Sequence, residues 1–253
     1  MSKANKKTVL YAGDSPAGGP ANYMLALLKD AGFIVRHVPP SEKLTRSHLD
    51  GPLSCIIFSD YSRDKISDDF QMKVQTLVRK GCGFMMVGGW GSFSGPFGHW
   101  KNSIIESLLP VNCLKGDDRL NFPSGALIKA KSKSLIFGNT VSFEQSPVIC
   151  GINQVKPKKA SRVILELNPL AVNGKNVRRA EIVYPLLVIN SESQSRVAAF
   201  TTDFAPHWCG GLVDWGKNSK RLHVQDKIYV EVGNIYIQFA HSLFNWLSLS
   251  RNS

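Results

Sequence analysis

Phe84-Met85-Met86-Val87-Gly88-Gly89-Trp90-Gly91-Ser92-Phe93 carries the strongest structural signal in this chain. Its first four residues form an unbroken apolar run that stops at paired glycines. The run is too short for a helix and has no alternation, so it reads as a strand buried on both faces. A strand of that kind belongs in a parallel sheet with helices packed on either side. The preceding residues repeat the unit. Val9-Leu10-Tyr11-Ala12 ends in Gly13-Asp14, and Leu53 to Phe58 ends in Ser59-Asp60. Between them a helix is expected from Ala21, with Met24, Leu27, Leu28 and Ala31 on one face and Gly32 as its stop, followed by a strand over Phe33 to Val38. Ser67 to Lys80 spaces Phe70, Val74, Leu77 and Val78 as a second helix. Repeated βα units predict the α/β class, a mostly parallel sheet with helices on both faces.

The pattern changes after residue 100. Asn102 to Leu109 reads as a short helix closed by Pro110. From Val111 the chain shows β-like runs: Ala126-Leu127-Ile128, Leu135-Ile136-Phe137, and Arg162 to Leu167. Tyr184 to Asn190 and Arg196 to Thr202 are expected to be two strands joined by a polar turn, Ser191 to Ser195. A last helix is expected over Val224 to Leu249, with Ile228, Val232, Ile235, Phe239, Leu243 and Phe244 as its buried stripe. The expected organisation is one domain, 1–253, with a β-rich insertion over about 111–180.

Hydrophobic residues make up 43% and charged residues 20% of the 253, which excludes a disordered or fibrous chain. Five cysteines occur, none at Cys-x-x-Cys spacing, so neither a disulfide framework nor a zinc ribbon is expected. The basic start, Met1 to Lys7, is followed by too short an apolar run for a signal peptide, and no stretch is long enough to span a membrane. A cytoplasmic protein is expected. Lys plus Arg number 31 against 19 acidic residues, a net charge of +12. The excess concentrates in 151–180, at Lys156, Lys158, Lys159, Arg162, Lys175, Arg178 and Arg179, with Lys129, Lys131 and Lys133 upstream. Such a patch attracts phosphate. It lacks interleaved aromatics and any known reading motif, so a solvated basic face is expected rather than nucleic-acid binding.

In an open parallel sheet, ligands bind beyond the carboxyl ends of the strands. The residues falling there are Asp14, Asp60, the glycine turn with Gly89, Trp90, Gly91, Ser92 and Phe93, and Asp203 with His207 and Trp208. Asp14 and Asp60 are candidate ligand groups or plain helix N-caps. Asp203, with His207 in a turn stiffened by Pro206, is a candidate carboxylate–imidazole pair. The glycine stretch is not a Walker A loop, because no Gly-Lys-Ser/Thr follows, and neither Gly-x-Gly-x-x-Gly in the first βα turn nor a Gly-x-Ser-x-Gly elbow is present. The sequence names no cofactor and has no tight metal-ligand spacing.

With the βα series, the turn after Val87, and Thr202-Asp203-Phe204-Ala205-Pro206-His207-Trp208, the chain resembles the bacterial "putative glutamine amidotransferase" family of the class I glutamine amidotransferase-like superfamily. Leu109-Pro110-Val111 and Ser146-Pro147-Val148 also fit, so the resemblance covers nearly the whole chain. It implies a flavodoxin-like fold. In catalytic members a cysteine sits on a Gly-x-Cys-x-Gly turn, with a histidine in a His-Pro-Glu-like motif after a later strand. Here the turn carries Gly89-Trp90-Gly91, the later strand ends Thr202-Asp203-Phe204, and Cys82 precedes the central strand. A thioester needs an activated thiolate beside a base. The resemblance therefore implies an amidotransferase-like protein without glutaminase activity, holding a small ligand or partner in the former active-site cleft, with homo-oligomerisation open. A hydrolase using His207 and Asp203, with or without a metal, is the alternative.

Overall fold

The computed structural model describes residues 7–16, 19–131, 136–190 and 196–249. The elements begin as alternating strands and helices: β1 (Thr8–Gly13), α1 (Ala21–Asp30), β2 (Ile34–Val38), α2 (Arg46–Leu49), β3 (Cys55–Ser59), α3 (Asp68–Arg79), β4 (Gly83–Val87) and α4 (Ile104–Leu108). Six strands follow: β5 (Val111–Cys113), β6 (Arg119–Ala130), β7 (Val148–Asn153), β8 (Val155–Pro157), β9 (Ser161–Asn173) and β10 (Asn176–Arg179). The chain ends with β11 (Tyr184–Asn190), β12 (Val197–Phe200), α5 (Pro206–Cys209), β13 (Ser219–Gln225), β14 (Ile228–Gly233) and α6 (Asn234–Leu247).

One sheet runs in the order β2-β1-β3-β4-β12-β11-β9-β6-β7. The first five strands are parallel, in the flavodoxin-like order. From β11 onward the pairing is antiparallel. Strands of the basic second half thus continue the central sheet. β10 pairs with β9 as a hairpin whose residues 172–179 are exposed, and it carries Lys175, Arg178 and Arg179.

Each parallel strand is apolar on both faces because each face meets its own core. Val9, Tyr11, Ile57, Met85, Val87 and Phe200 pack with α1 and α6. Leu10, Ala12, Ile56, Phe58, Phe84 and Met86 pack with α3, α4 and Trp100. Helix α3 starts where expected: the Ser67 hydroxyl accepts from the Phe70 N–H, and Asp68 and Asp69 sit in the first turn, where the helix dipole favours them.

The last helix is shorter than its sequence pattern predicts. Residues 219–233 form an antiparallel hairpin, and helix begins only at Asn234. Leu222, Val224, Val230 and Val232 are buried at alternate positions, and Asp226 takes φ +46° in the turn. The period-2 set wins because this hairpin covers α1: Lys29 Nζ donates to the Val224 carbonyl at 2.5 Å, and Lys220 pairs with Asp30 at 2.8 Å. The expected β-like run at Leu135 to Phe137 is a turn over its described residues, Ile136 and Phe137, and the Phe137 ring stacks on Phe239 at 5.0 Å. Leu135, Lys133 and the expected turn Ser191 to Ser195 lie outside the described residues.

Candidate ligand cleft at the carboxyl edge

The strand order reverses between β1 and β3, and the segments after their carboxyl ends lead to helices on opposite faces of the sheet, which frames a crevice. Asp14 follows β1 at φ +46° and Asp60 follows β3 at φ +54°. Aspartate is among the few residues that enter this region readily. Gly88 to Gly91 follow β4, and Asp203 follows β12. These segments, with Pro20, Pro40, Phe97, His207 and Trp208 among the other walls, enclose a cavity of about 650 Å³. Neither Asp14 nor Asp60 caps a helix: the N-cap of α1 is Pro20, with no side-chain cap, and α3 is capped by Ser67.

Four aspartates line this space, and three of them, Asp14, Asp60 and Asp203, follow the ends of strands. Asp14 is 9% exposed, and its carboxylate accepts from the Tyr11 hydroxyl at 2.5 Å. Burial pushes its pKa up to about 7; hydrogen bonds from Ser59 and Tyr11 oppose the rise, and the Asp60 charge adds to it. Asp60 accepts from the Gly91 and Trp90 N–H groups, and burial raises its pKa too. Asp203 is held well above the ordinary carboxylate range, chiefly by burial and then by the Asp14 charge.

The Asp203–His207 pair does not form. Asp203 Oδ1 accepts from the Cys209 N–H at 2.9 Å, and the Ala205 N–H also donates to this carboxylate. Backbone N–H groups at the two ends of α5, those of Ala205 and Cys209, claim the carboxylate before the imidazole can. His207 is exposed on the cavity wall.

The glycine turn is braced from beneath. Gly88 N–H donates to the carbonyls of Phe200 at 2.8 Å and Thr202 at 2.9 Å. Asn153, fully buried at the end of β7, grips Gly89 from both sides: Oδ1 accepts from its N–H at 2.8 Å and Nδ2 donates to its carbonyl at 3.2 Å. The same amide donates to Asp118 Oδ1 at 2.6 Å, while Asp118 Oδ2 accepts from the Ser94 N–H at 2.8 Å. A Cβ on Gly89 would lie 2.8 Å from the Asp60 carboxyl carbon, so the bare backbone is what lets these segments meet. Sequence reasoning misses Asn153 and Asp118. The only hint is a polar residue closing the apolar run Val148 to Ile152.

Two of the expected cleft residues point elsewhere. Ser92 Oγ accepts from the Asp60 N–H at 3.0 Å, and Phe93 is fully buried beside Trp100 in the core under the turn. Phe97 supplies the aromatic wall instead. Trp90 lies in the turn after β4, 44% exposed, with its ring stacked on Phe97 and the Arg119 guanidinium 4.1 Å from its centre. Asp117 holds that guanidinium at 2.7 Å. Trp208 is 3% exposed and lies against Gly151, where a Cβ would come within 2.6 Å of the ring. Trp90 is the most exposed of the five tryptophans, so Trp90→Phe should remove most of the acrylamide-quenchable fluorescence. Unchanged quenching would contradict its placement in the mouth of the cleft.

A family model described as "Putative glutamine amidotransferase" (GATase1-like) matches residues 54–227, more than half of the chain. Among solved structures, the chain is similar to the cytoplasmic protein STM3548 from Salmonella typhimurium, with TM-score 0.69 and 21% identity over 94% of this chain and 98% of that one. It is similar to the cytoplasmic protein STM1381 from Salmonella typhimurium LT2, with TM-score 0.68 and 20% identity over 95% and 99%. Agd3, a carbohydrate deacetylase, aligns at TM-score 0.52 and 14% identity, over 80% of this chain and 30% of its own. At these identities the likenesses show the fold. No curated protein matches. Among the described residues no helix is long and apolar enough to cross a membrane.

Proposed function

Because this chain belongs to the GATase1-like family of "putative glutamine amidotransferases", we propose that its cleft binds a small ligand at the superfamily's active-site position without glutaminase chemistry. The observation that carries the reading is the turn after β4, which presents Trp90 to the cavity; the resemblance to catalytic members of the superfamily makes this turn the expected position of their thiol. None of the five cysteines lines the cavity. Cys82 precedes β4, at the opposite end of the strand from the cleft, and burial pushes its thiol up to about 12. A thiol so placed is protonated at neutral pH and remote from the cleft, so it offers no nucleophile there. The cleft itself is of ligand size, with aromatic walls and a few convergent polar groups.

Wild-type protein incubated with glutamine should release no ammonia above background, and Cys82→Ala should behave the same. Turnover that disappears in Cys82→Ala would overturn the reading. The similarity to the cytoplasmic proteins STM3548 and STM1381 supports a cytoplasmic location for this protein as well. The basic hairpin of β9 and β10 is taken as a solvated face rather than a nucleic-acid site, a reading that a salt-dependent mobility shift with mixed RNA or DNA would reverse.

A further inference from the structure

The cleft gathers acidic groups in a basic molecule. The chain carries a net +12, yet Asp14, Asp60 and Asp203 gather in one cavity. Among the described residues, no lysine or arginine comes within ion-pair distance of any of the three. The other opposed charges on the wall, Asp64 and Lys65, lie 3.8 Å apart and offset each other. Grouped carboxyls without a counter-ion disfavour the folded state, and a chain with 31 basic residues has the means to neutralise them.

A second feature is independent of charge. Trp100 Nε1 donates to the carbonyls of Tyr61 at 3.0 Å and Gly91 at 3.1 Å. Trp208, 3% exposed and on the cavity wall, has no acceptor for its indole N–H among the described residues. The nitrogen is not sealed in the core, so this N–H stays accessible on the side of the cavity. An occupant with a lone pair would satisfy this one.

Resting on the reading that this cleft binds a small ligand, we propose that its occupant is an organic cation. A protonated amine sits among Asp14, Asp60 and Asp203, its apolar body lies against Trp208 and Phe97, and an oxygen of the ligand accepts from the Trp208 N–H. An ammonium group has only donors to offer, which suits a cavity whose buried ionisable groups are carboxyls. Each carboxylate has lone pairs left after the hydrogen bonds described above. A free amino acid such as glutamine fits poorly, because its own carboxylate would enter a space with no unpaired cation to receive it.

The test is calorimetric titration near neutral pH with four probes: tyramine, its neutral alcohol analogue 2-(4-hydroxyphenyl)ethanol, the anion 3-(4-hydroxyphenyl)propanoate, and L-glutamine. Tyramine should bind at least about tenfold more tightly than the alcohol, and the anion and glutamine more weakly still. Asp60→Asn and Asp14→Asn, each checked for folding by melting, should erase the advantage of tyramine over the alcohol. Trp208→Phe should weaken both probes several-fold and leave their ratio unchanged. Equal binding of amine and alcohol, or a preference that survives both Asp→Asn changes, would overturn the inference. So would failure of tyramine to bind. A neutral or anionic fragment binding in the cleft, with its affinity lost in Trp208→Phe, would overturn the charge class and leave the proposed cleft binding intact. A fragment screen with no occupant of this cleft would overturn both.

Discussion

Asn153→Ala should lower the unfolding free energy by roughly 3–5 kcal/mol, a large fraction of what a domain of this size holds in reserve. The amide makes three hydrogen bonds in a fully buried position, two to the backbone of Gly89 and one to Asp118. Truncation leaves the Gly89 N–H and carbonyl and one carboxylate oxygen of Asp118 without these partners. Each abandoned buried group costs about 1–3 kcal/mol. The loss should deepen with pH. Burial already raises the Asp118 carboxyl to about 6, with the Asn153 donor opposing the rise. Without that donor the folded-state pKa climbs further, and the folded state is disfavoured more as pH rises from the ordinary carboxylate value through the raised one. Urea denaturation at about pH 5 and pH 8 measures both effects. A loss under about 1 kcal/mol, or one larger at the acid end, would mean the amide does not brace the turn.

The parallel half of the sheet is legible because each strand is an apolar run that ends in a Gly or Asp, and burial on both faces leaves little else for such a run to be. Where two periods fit the same residues, the sequence loses its grip. Val224, Ile228, Val232, Ile235 and Phe239 satisfy a helical stripe, while Leu222, Val224, Ile228, Val230 and Val232 satisfy an alternating hairpin. The choice lies in what they cover, the exposed side of α1, and that partner is nearly two hundred residues away in the chain. The candidate site divides in the same way. Asp14, Asp60, Trp90 and Trp208 are found by the rule that strand ends carry ligand groups. Phe93 and Phe97 look alike in a glycine-rich stretch, and only the left-handed turn at Phe93, φ +46°, sends the first into the core. His207 loses Asp203 to backbone donors that no side-chain motif reveals. Asn153 and Asp118 act across the fold on Gly89 and Ser94, so no local pattern could announce them.

Asp14→Asn should stabilise the protein, and the size of the gain should depend on pH in a way that tests why the carboxyl is there. Burial places the folded-state pKa at about 7, against an ordinary value of 3.8. Between those values the folded protein keeps a proton that the unfolded chain has released, so stability falls as pH rises through this window and levels off above it. At roughly 1.4 kcal/mol per tenfold difference in proton affinity, the full penalty approaches about 4 kcal/mol. Asparagine has nearly the same shape, keeps an oxygen to accept from the Tyr11 hydroxyl, and carries no charge. Its removal of one charge also eases the ionisation of Asp203, an effect of the same sign. The expected result is no gain near pH 4 and a gain of about 2–4 kcal/mol near pH 8, read from urea melts of both proteins across the range. A gain that does not vary with pH, or a loss at pH 8, would refute the account. The groups around Asp14 sharpen the point. Tyr11 and Ser59 donate to it, while Asp60 and Asp203 repel it. His37 on β2 spends its ring nitrogen on the Gly13 carbonyl, and burial keeps that ring's pKa low. No neighbour supplies a positive charge. An ammonium ligand would, and it would draw the carboxyl pKa down. Tyramine binding near pH 7 should therefore release a proton, visible as a binding enthalpy that changes with the ionisation heat of the buffer, and that dependence should vanish in Asp14→Asn.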